Sequence, residues 1–137
     1  MTIDATRILQ DYVTSWNSHD VERLLSFFTD DCIYEDLATA VVKHGKKELK
    51  ALLNDLFVSI PDVKFDFKAV FSVEDRGAME WVMSGTYTGD SEIAKISATG
   101  KSFSVRGASI MELLNGKISR NSDYWNFASF VQQVSYL

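Results

Sequence analysis

One cysteine, one proline and two histidines leave this chain of 137 residues short of several kinds of chemistry. A single thiol, Cys32, cannot form an intrachain disulfide, which fits a reducing, cytoplasmic setting and a small core residue. His19 and His44 have no histidine four residues away and no cysteine pair beside them, so no metal and no other cofactor is expected. Basic residues never form a block, and the net charge is −5. Affinity for nucleic acid rests largely on neutralising phosphates, so no nucleic-acid partner is expected. No apolar run nears the roughly 20 residues that a membrane-spanning helix needs. The opening "MTIDATRILQ" carries an acid among its apolar residues and shows no signal-peptide pattern. No GxGxxG, GxxxxGK[ST] or GxSxG motif occurs, which removes the dinucleotide, P-loop and nucleophile-elbow signatures. With no linker, repeat or low-complexity stretch, residues 1–137 read as one domain.

What the chain does have is ring surface and clear periodicity. Aromatic residues make up 12%, with nine phenylalanines, enough for a ring-rich core or a cavity lined by rings. Ile8, Leu9, Tyr12, Val13 and Trp16 make one helical stripe. Asp20 is placed to cap a second helix carrying Leu24, Leu25, Phe27 and Phe28, with "TDD" at 29–31 breaking it ahead of a strand at 32–37. Residues 37–45 read as a loop. Leu49, Leu52, Leu53, Leu56 and Phe57 mark a third helix that Pro61 ends. From there the period changes to two. Val63, Phe65, Phe67, Ala69, Phe71 and Val73 alternate with polar residues, then Met79, Trp81, Met83, Gly85 and Tyr87 run down a partner strand. Residues 88–102 are polar and irregular, with room for a short edge strand. Phe103 to Leu113 and Lys117 to Trp125 form the last two strands, joined by the hairpin signal Asn115-Gly116. Phe127, Phe130, Val131 and Val134 suggest a terminal helix. Helices first and antiparallel strands afterwards define an α+β domain with helices on one face of a sheet.

Two acids fall among aromatics. In "CIYEDL", strand alternation puts Asp36 on the face of Cys32 and Tyr34. Asp123 shares a face with Asn121 and Trp125 in the last strand. A polar group buried on such a face needs partners, and a carboxylate there has its charged form disfavoured and its pKa raised, toward values useful for moving protons. Plainer readings stand beside these. Asp36 can end its strand in water or cap a turn, and Asp123 can pair with a lysine on the surface. Tyr12 and Trp16 fit core packing, Trp81 and Met83 read as core, Ser109 as a small strand residue, and His44 as a loop residue or cap.

The chain resembles the SnoaL-like polyketide cyclases and ketosteroid isomerases of the nuclear transport factor 2-like superfamily. The resemblance lies in "YVTSWNSHDVERLLSFFTDDCIYED", in "HGKKELKALLNDLFVSIPDVKF" and in "ATGKSFSVRGASIMELLNGKISRNSDYWNFASFVQQ", and it spans nearly the whole chain. It implies a curved antiparallel sheet with N-terminal helices packed on one face, forming a cone-shaped cavity. By resemblance to the isomerases, Asp36 takes the general-base position and Tyr12 the oxyanion-hole tyrosine, with the family's spacing between them. The second oxyanion acid of that family is replaced here by Ser109. By resemblance to the cyclases, Asp123 matches the acid/base of an aldol closure, while the final acid of the "YWD" pattern is Asn126 here.

The expectation is therefore a small-molecule-binding protein whose cavity takes a hydrophobic carbonyl compound. Asp36 or Asp123 would move a proton beside the carbonyl. Tyr12, with Ser109 or Asn121, would hydrogen-bond the developing enolate, and Trp16, Tyr34 and Trp125 would complete the ligand wall. The alternative is a binding or interaction module of the same fold without chemistry. A homodimer is expected in either case, because Phe65, Phe67 and Phe71 opposite Met79 and Trp81 supply more apolar surface than three helices hide.

Overall fold

A computed structural model describes residues 4–135; Met1 to Ile3, the start of the N-terminal stretch assessed for a signal, lie outside the described residues. Each helix begins where a side chain accepts a bond from an otherwise orphaned N–H. Asp4 accepts from the Arg7 N–H at the start of α1 (Ala5–Trp16), and Asp20 from the Arg23 N–H at α2 (Val21–Leu25). Ahead of α3 (Gly45–Ser59), the Glu48 carboxylate, four residues on, reaches back to the His44 N–H at 2.9 Å. His44 itself occupies the cap position, but its side chain makes no capping bond. Ile60 closes α3 and Pro61 follows, as its missing N–H requires. Asn126 caps α4 (Phe127–Val134) by accepting from the Ser129 N–H. That explains an amide at this position, which is exposed and serves as a cap.

Six strands form one sheet: β1 (Phe28–Asp36), β2 (Val41–His44), β3 (Lys64–Val73), β4 (Arg76–Thr86), β5 (Ser102–Leu114) and β6 (Lys117–Trp125). Their spatial order is β2-β1-β6-β5-β4-β3. Four of the pairings are antiparallel, and β1 lies parallel to β6. The sheet is curved and unclosed, with the helices on its concave face. Bulges in the β1–β6, β3–β4 and β5–β6 pairings supply bend points. The Asn115-Gly116 turn has positive φ at both residues (51° and 79°), the geometry that a two-residue hairpin needs.

Four local expectations give way. Phe28 and "TDD" belong to β1, because the second helix closes at Leu25 and Phe28 pairs across to Ile118. Residues 37–45 contain a strand: Val41–His44 pair antiparallel with Ile33–Asp36. Four half-exposed residues carry too little alternation to reveal it. The edge strand allowed for in 88–102 does not form. Backbone bonds tie the ends of that segment, and side chains hold its middle, with the Tyr87 hydroxyl accepting from the Ser91 N–H and donating to the Ile96 carbonyl. Finally, Lys68 is an extra residue in β3, unpaired between Phe67↔Trp81 and Ala69↔Glu80. One inserted residue inverts the facing of everything after it. Phe65 and Phe67 therefore point to the concave side, while Phe71 and Val73 stand exposed on the convex one.

On the concave side the Trp81 indole lies over Gly107, its directly opposite neighbour in β5. A Cβ at Gly107 would sit 2.2 Å from that ring. Gly107→Ala should therefore displace Trp81 and cost about 1–3 kcal/mol, read as a lower urea midpoint together with altered tryptophan emission. Unchanged emission and midpoint would show that the ring does not rest there.

Candidate functional site: two carboxylates in a ring-lined cavity

Between the helices and the concave sheet lies a cavity with about 960 Å³ of atom-free space, its open mouth included. Its walls come from every layer. Tyr12 and Trp16 descend from α1, Leu52, Leu53 and Leu56 from α3, Phe127 and Phe130 from α4, and Phe65, Phe67, Met79, Trp81, Met83 and Trp125 rise from the sheet. Rings meet rings throughout: Trp16 packs on Phe65 at 4.9 Å between centroids, and Phe65 meets Trp81 edge-on at 5.9 Å. Ser91, Ile93 and Ala94 form part of the lining. Their loop is tied to α3, because Asp55 accepts from the Ser91 hydroxyl and the Glu92 N–H.

The polar end is built by register. Asp36 of β1 pairs with Asp123 of the parallel β6, and Asp123 pairs with Ser109 of β5. Both acids therefore face the cavity from adjacent strands. Asp123 accepts three hydrogen bonds from three strands: Ser109 Oγ to Oδ1 at 2.6 Å, Asn121 Nδ2 to Oδ1 at 2.8 Å, and the Tyr34 hydroxyl to Oδ2 at 2.5 Å. Ser109 in turn accepts from Trp81 Nε1 at 2.9 Å. Asp36 Oδ1 accepts from Trp125 Nε1 at 2.9 Å and from the Ala38 N–H at 3.0 Å. The second of these bonds closes the turn after β1, so Asp36 caps a turn and also faces the cavity. Thr39 approaches it outside good hydrogen-bond geometry.

Burial dominates the electrostatics. Asp123 is pushed up to about 6, first because its charge is shielded from water; its three donors pull the other way, and the neighbouring Asp36 charge pushes up. Burial also raises Asp36, with Ala38 and Trp125 opposing. The Tyr12 and Tyr34 hydroxyls stay protonated well beyond the usual tyrosine range, through burial and then the Asp123 charge. A carboxyl group near 6 can both accept and release a proton close to neutral pH.

Seven of the residues singled out from the sequence line this one cavity: Tyr12, Trp16, Tyr34, Asp36, Ser109, Asp123 and Trp125. Asn121 does not. It is 1% exposed and spends its amide on Asp123, so it positions the acid and is out of reach of a ligand. The Ser109 proton is likewise committed to Asp123. Trp81 and Met83, read as core, are cavity wall as well. Sequence reasoning missed Asp55 and the 91–94 segment. Asp55 carried a signal, since it falls three residues after Leu52 on the stripe meant to be apolar; the segment carried none.

A helix-backed curved sheet with a cavity at its concave side defines the nuclear transport factor 2-like class, the fold also of the ketosteroid isomerases. A family model for the SnoaL-like polyketide cyclases matches residues 6–134, so the chain belongs to that family. It is 27% identical over 106 residues to the cyclase AurE of Calcarisporium arbuscula, covering 77% of this chain and 74% of that protein. Among solved structures, a candidate polyketide cyclase of Pseudomonas putida KT2440 superposes with a TM-score of 0.83 at 22% identity, covering 98% of this chain and 99% of the other. A protein of ketosteroid isomerase-like fold from Catenulispora acidiphila gives 0.80 at 19% identity, covering 93% and 91%. These structural likenesses speak for the fold.

Asp123 also sets a pH dependence. Its folded pKa lies above the unfolded value, so as pH rises the unfolded chain loses this proton first. Its contribution is present in full below about pH 4 and is lost as pH rises through about 6, by on the order of 2–3 kcal/mol. Urea midpoints at pH 4 and pH 7 should therefore fall further in the native protein than in Asp123→Asn. Parallel profiles would mean that the carboxyl is unperturbed.

Proposed function

We propose that the cavity binds a small hydrophobic carbonyl compound, partly aromatic or polycyclic, and that Asp123 moves a proton next to its carbonyl. The observation that carries this reading is the Asp123 carboxyl at the floor of a ring-lined cavity, with its pKa raised to about 6. As carboxylate it takes a proton from the carbon beside the carbonyl. The electron pair passes to the carbonyl oxygen, where the hydroxyl of buried Tyr12, donating to no group among the described residues, meets the developing charge. The enolate carbon then attacks a second carbonyl of the same molecule. Asp123 returns its proton to the alkoxide formed there, so the ring closes with no net change of atoms. Ser109, Tyr34 and Asn121 hold the acid in place. Asp36 is the second carboxyl of the site. Membership of the SnoaL-like family and the likeness to the cyclase AurE support the reading.

One observation favours a second reading, ligand binding without turnover. Both oxygens of Asp123 already receive protein donors, as in a carboxylate whose work is to order the cavity floor. Aromatic β-keto esters and 1,3-diketones incubated in deuterium oxide separate the two. Proton transfer predicts enzyme-dependent deuterium uptake between the carbonyls, reduced about 10²–10⁴-fold in Asp123→Asn. Ligand binding with uptake at the uncatalysed rate would leave only the second reading.

We propose further that two copies associate through the convex face of the sheet. Phe71, Ala78, Ile110 and Ser122 form one row across β3, β4, β5 and β6, with Tyr124 alongside. Phe71, Ile110 and Tyr124 are each about half exposed in the single chain. Sedimentation equilibrium at micromolar concentration should give twice the chain mass, and Ile110→Lys should give the single mass. A native monomer would remove the proposal. No helix among the described residues is long and apolar enough to cross a membrane. The lone, buried Cys32 thiol agrees with a cytoplasmic setting.

A further inference from the structure

The charge on the cavity wall is of one sign. Asp36, Asp55 and Asp123 all line it, and among the described residues no lysine, arginine or histidine does. None of the three takes part in an ion pair among the described residues. The contrast within β1 is sharp: Glu35, one residue before Asp36 and on the convex face, is held by the Arg120 guanidinium at 2.7 Å. Among the described residues the convex acid has its counter-charge and the cavity acid has none. Asp55 at least has its two oxygens engaged by the 91–94 loop. For Asp36, both side-chain bonds of good geometry fall on Oδ1.

The rest of the wall is electron-rich. Trp16, Trp81 and Trp125, all three tryptophans of the protein, line the cavity with Tyr12, Phe65 and Phe67. Aromatic faces attract cations through the ring quadrupole, most strongly tryptophan and more so when water is excluded. Adding an anion here would place like charges together in a poorly hydrated space, which is strongly unfavourable. A neutral ligand would shield the acids further from water and leave their charge uncompensated. A cation compensates it; against this stands the cost of stripping water from the incoming ammonium. The open mouth and the weak hydration of a methylated ammonium lower that cost.

From this arrangement the geometry points to a cationic ligand: the cavity takes a molecule bearing an alkylated ammonium group, seated against Asp36 and the indoles of Trp81 and Trp125. This deepens the proposed function and rests on its premise that the cavity is the ligand site. It adds that the hydrophobic carbonyl compound also carries a basic amine, with Asp36 as the residue that selects for it and Asp123 left for the proton transfer.

A matched trio of probes tests it: benzyltrimethylammonium, its neutral carbon isostere neopentylbenzene, and phenylacetate. All three tryptophans line the cavity, so quenching of intrinsic fluorescence excited at 295 nm reports occupancy, and the single-ring probes do not absorb there. The ammonium should bind the native protein at least tenfold more tightly than neopentylbenzene, with phenylacetate weakest. In Asp36→Asn the ratio of ammonium to neutral affinity should fall at least tenfold. Equal or tighter binding of neopentylbenzene, binding of phenylacetate in preference to the ammonium, or no ammonium binding at millimolar concentration would each overturn the inference. A ratio unchanged in folded Asp36→Asn would do the same. The comparison on the native protein decides the matter even if that variant does not fold. Deuterium uptake by neutral β-keto esters is a separate readout, so charge selectivity can fail while the proton-transfer reading stands, and the reverse.

Discussion

The structure is organised around one half-buried carboxylate and the three strands that satisfy it. Asp123 sits on β6, and its partners come from β1 (Tyr34), β5 (Ser109) and β6 itself (Asn121). An ionised acid among rings is costly unless it is well hydrogen-bonded. The antiparallel register of β5 and β6 brings Ser109 to it, and the parallel register of β1 and β6 brings Tyr34. A slip of one residue in either pairing would turn the donors to the convex face. The acid thus enforces register, and the register makes the acid tolerable. What solvation remains missing shows as a pKa near 6.

The rings around it follow from close packing. Trp81 reaches across β5 because Gly107 leaves room, and its indole N–H then supports Ser109, which supports Asp123. Trp125 does the same for Asp36 from β6. The indoles therefore serve twice, as apolar wall and as donors that fix the polar floor. On the far side the 88–101 segment forms no strand, and backbone bonds hold its two ends, Thr88 and Gly89 to the Ser59 carbonyl and Gly100 to the Tyr87 carbonyl. It is anchored by the Tyr87 hydroxyl, by Asp55 and by bonds to the backbone of α4 and the residue after it, the Thr99 hydroxyl to Val134 and the Lys101 ammonium to Ser135. Regular structure supplies the floor of the cavity, and individual side chains hold this part of its rim.

Family membership and site chemistry lie at different levels. The family model spans almost the whole chain, in keeping with a curved sheet backed by helices on one face. Such a scaffold hosts many activities, so the chemistry has to be argued from the cavity. The two acids arise from different positional resemblances, Asp36 from the isomerases and Asp123 from the cyclases, yet the fold sets them side by side. Ser109 has a local physical reading as well. Its hydroxyl fits between Trp81 and Asp123 and joins them, where an acid would add a third charge to the floor. The amide at Asn126 is explained equally locally, as the cap of the last helix.

Periodicity carries helices and long strands because burial on one face recurs at 3.6 or 2 residues, and that recurrence is written in the chain. The stripe of α1, the Pro61 stop, the alternation of β4 and β5 and the Asn115-Gly116 turn were all legible in this way. So was the facing of Asp36 and Asp123, which follows from parity within a single strand. Partnership is not local. Nothing in residues 41–44 announces β2, nothing in β1 says that it runs parallel to β6, and a lone Lys68 gives no sign that it inverts the facing of Phe71 and Val73. These depend on which strand lies alongside, a choice made by the whole packed chain. By itself the sequence determined the fold class, most of the elements and, within an unbroken strand, which side chains share a face. Only the tertiary structure decided which of those side chains meet, because hydrogen bonds such as Tyr34 to Asp123 join residues far apart in the chain that are brought together only when the sheet closes its order.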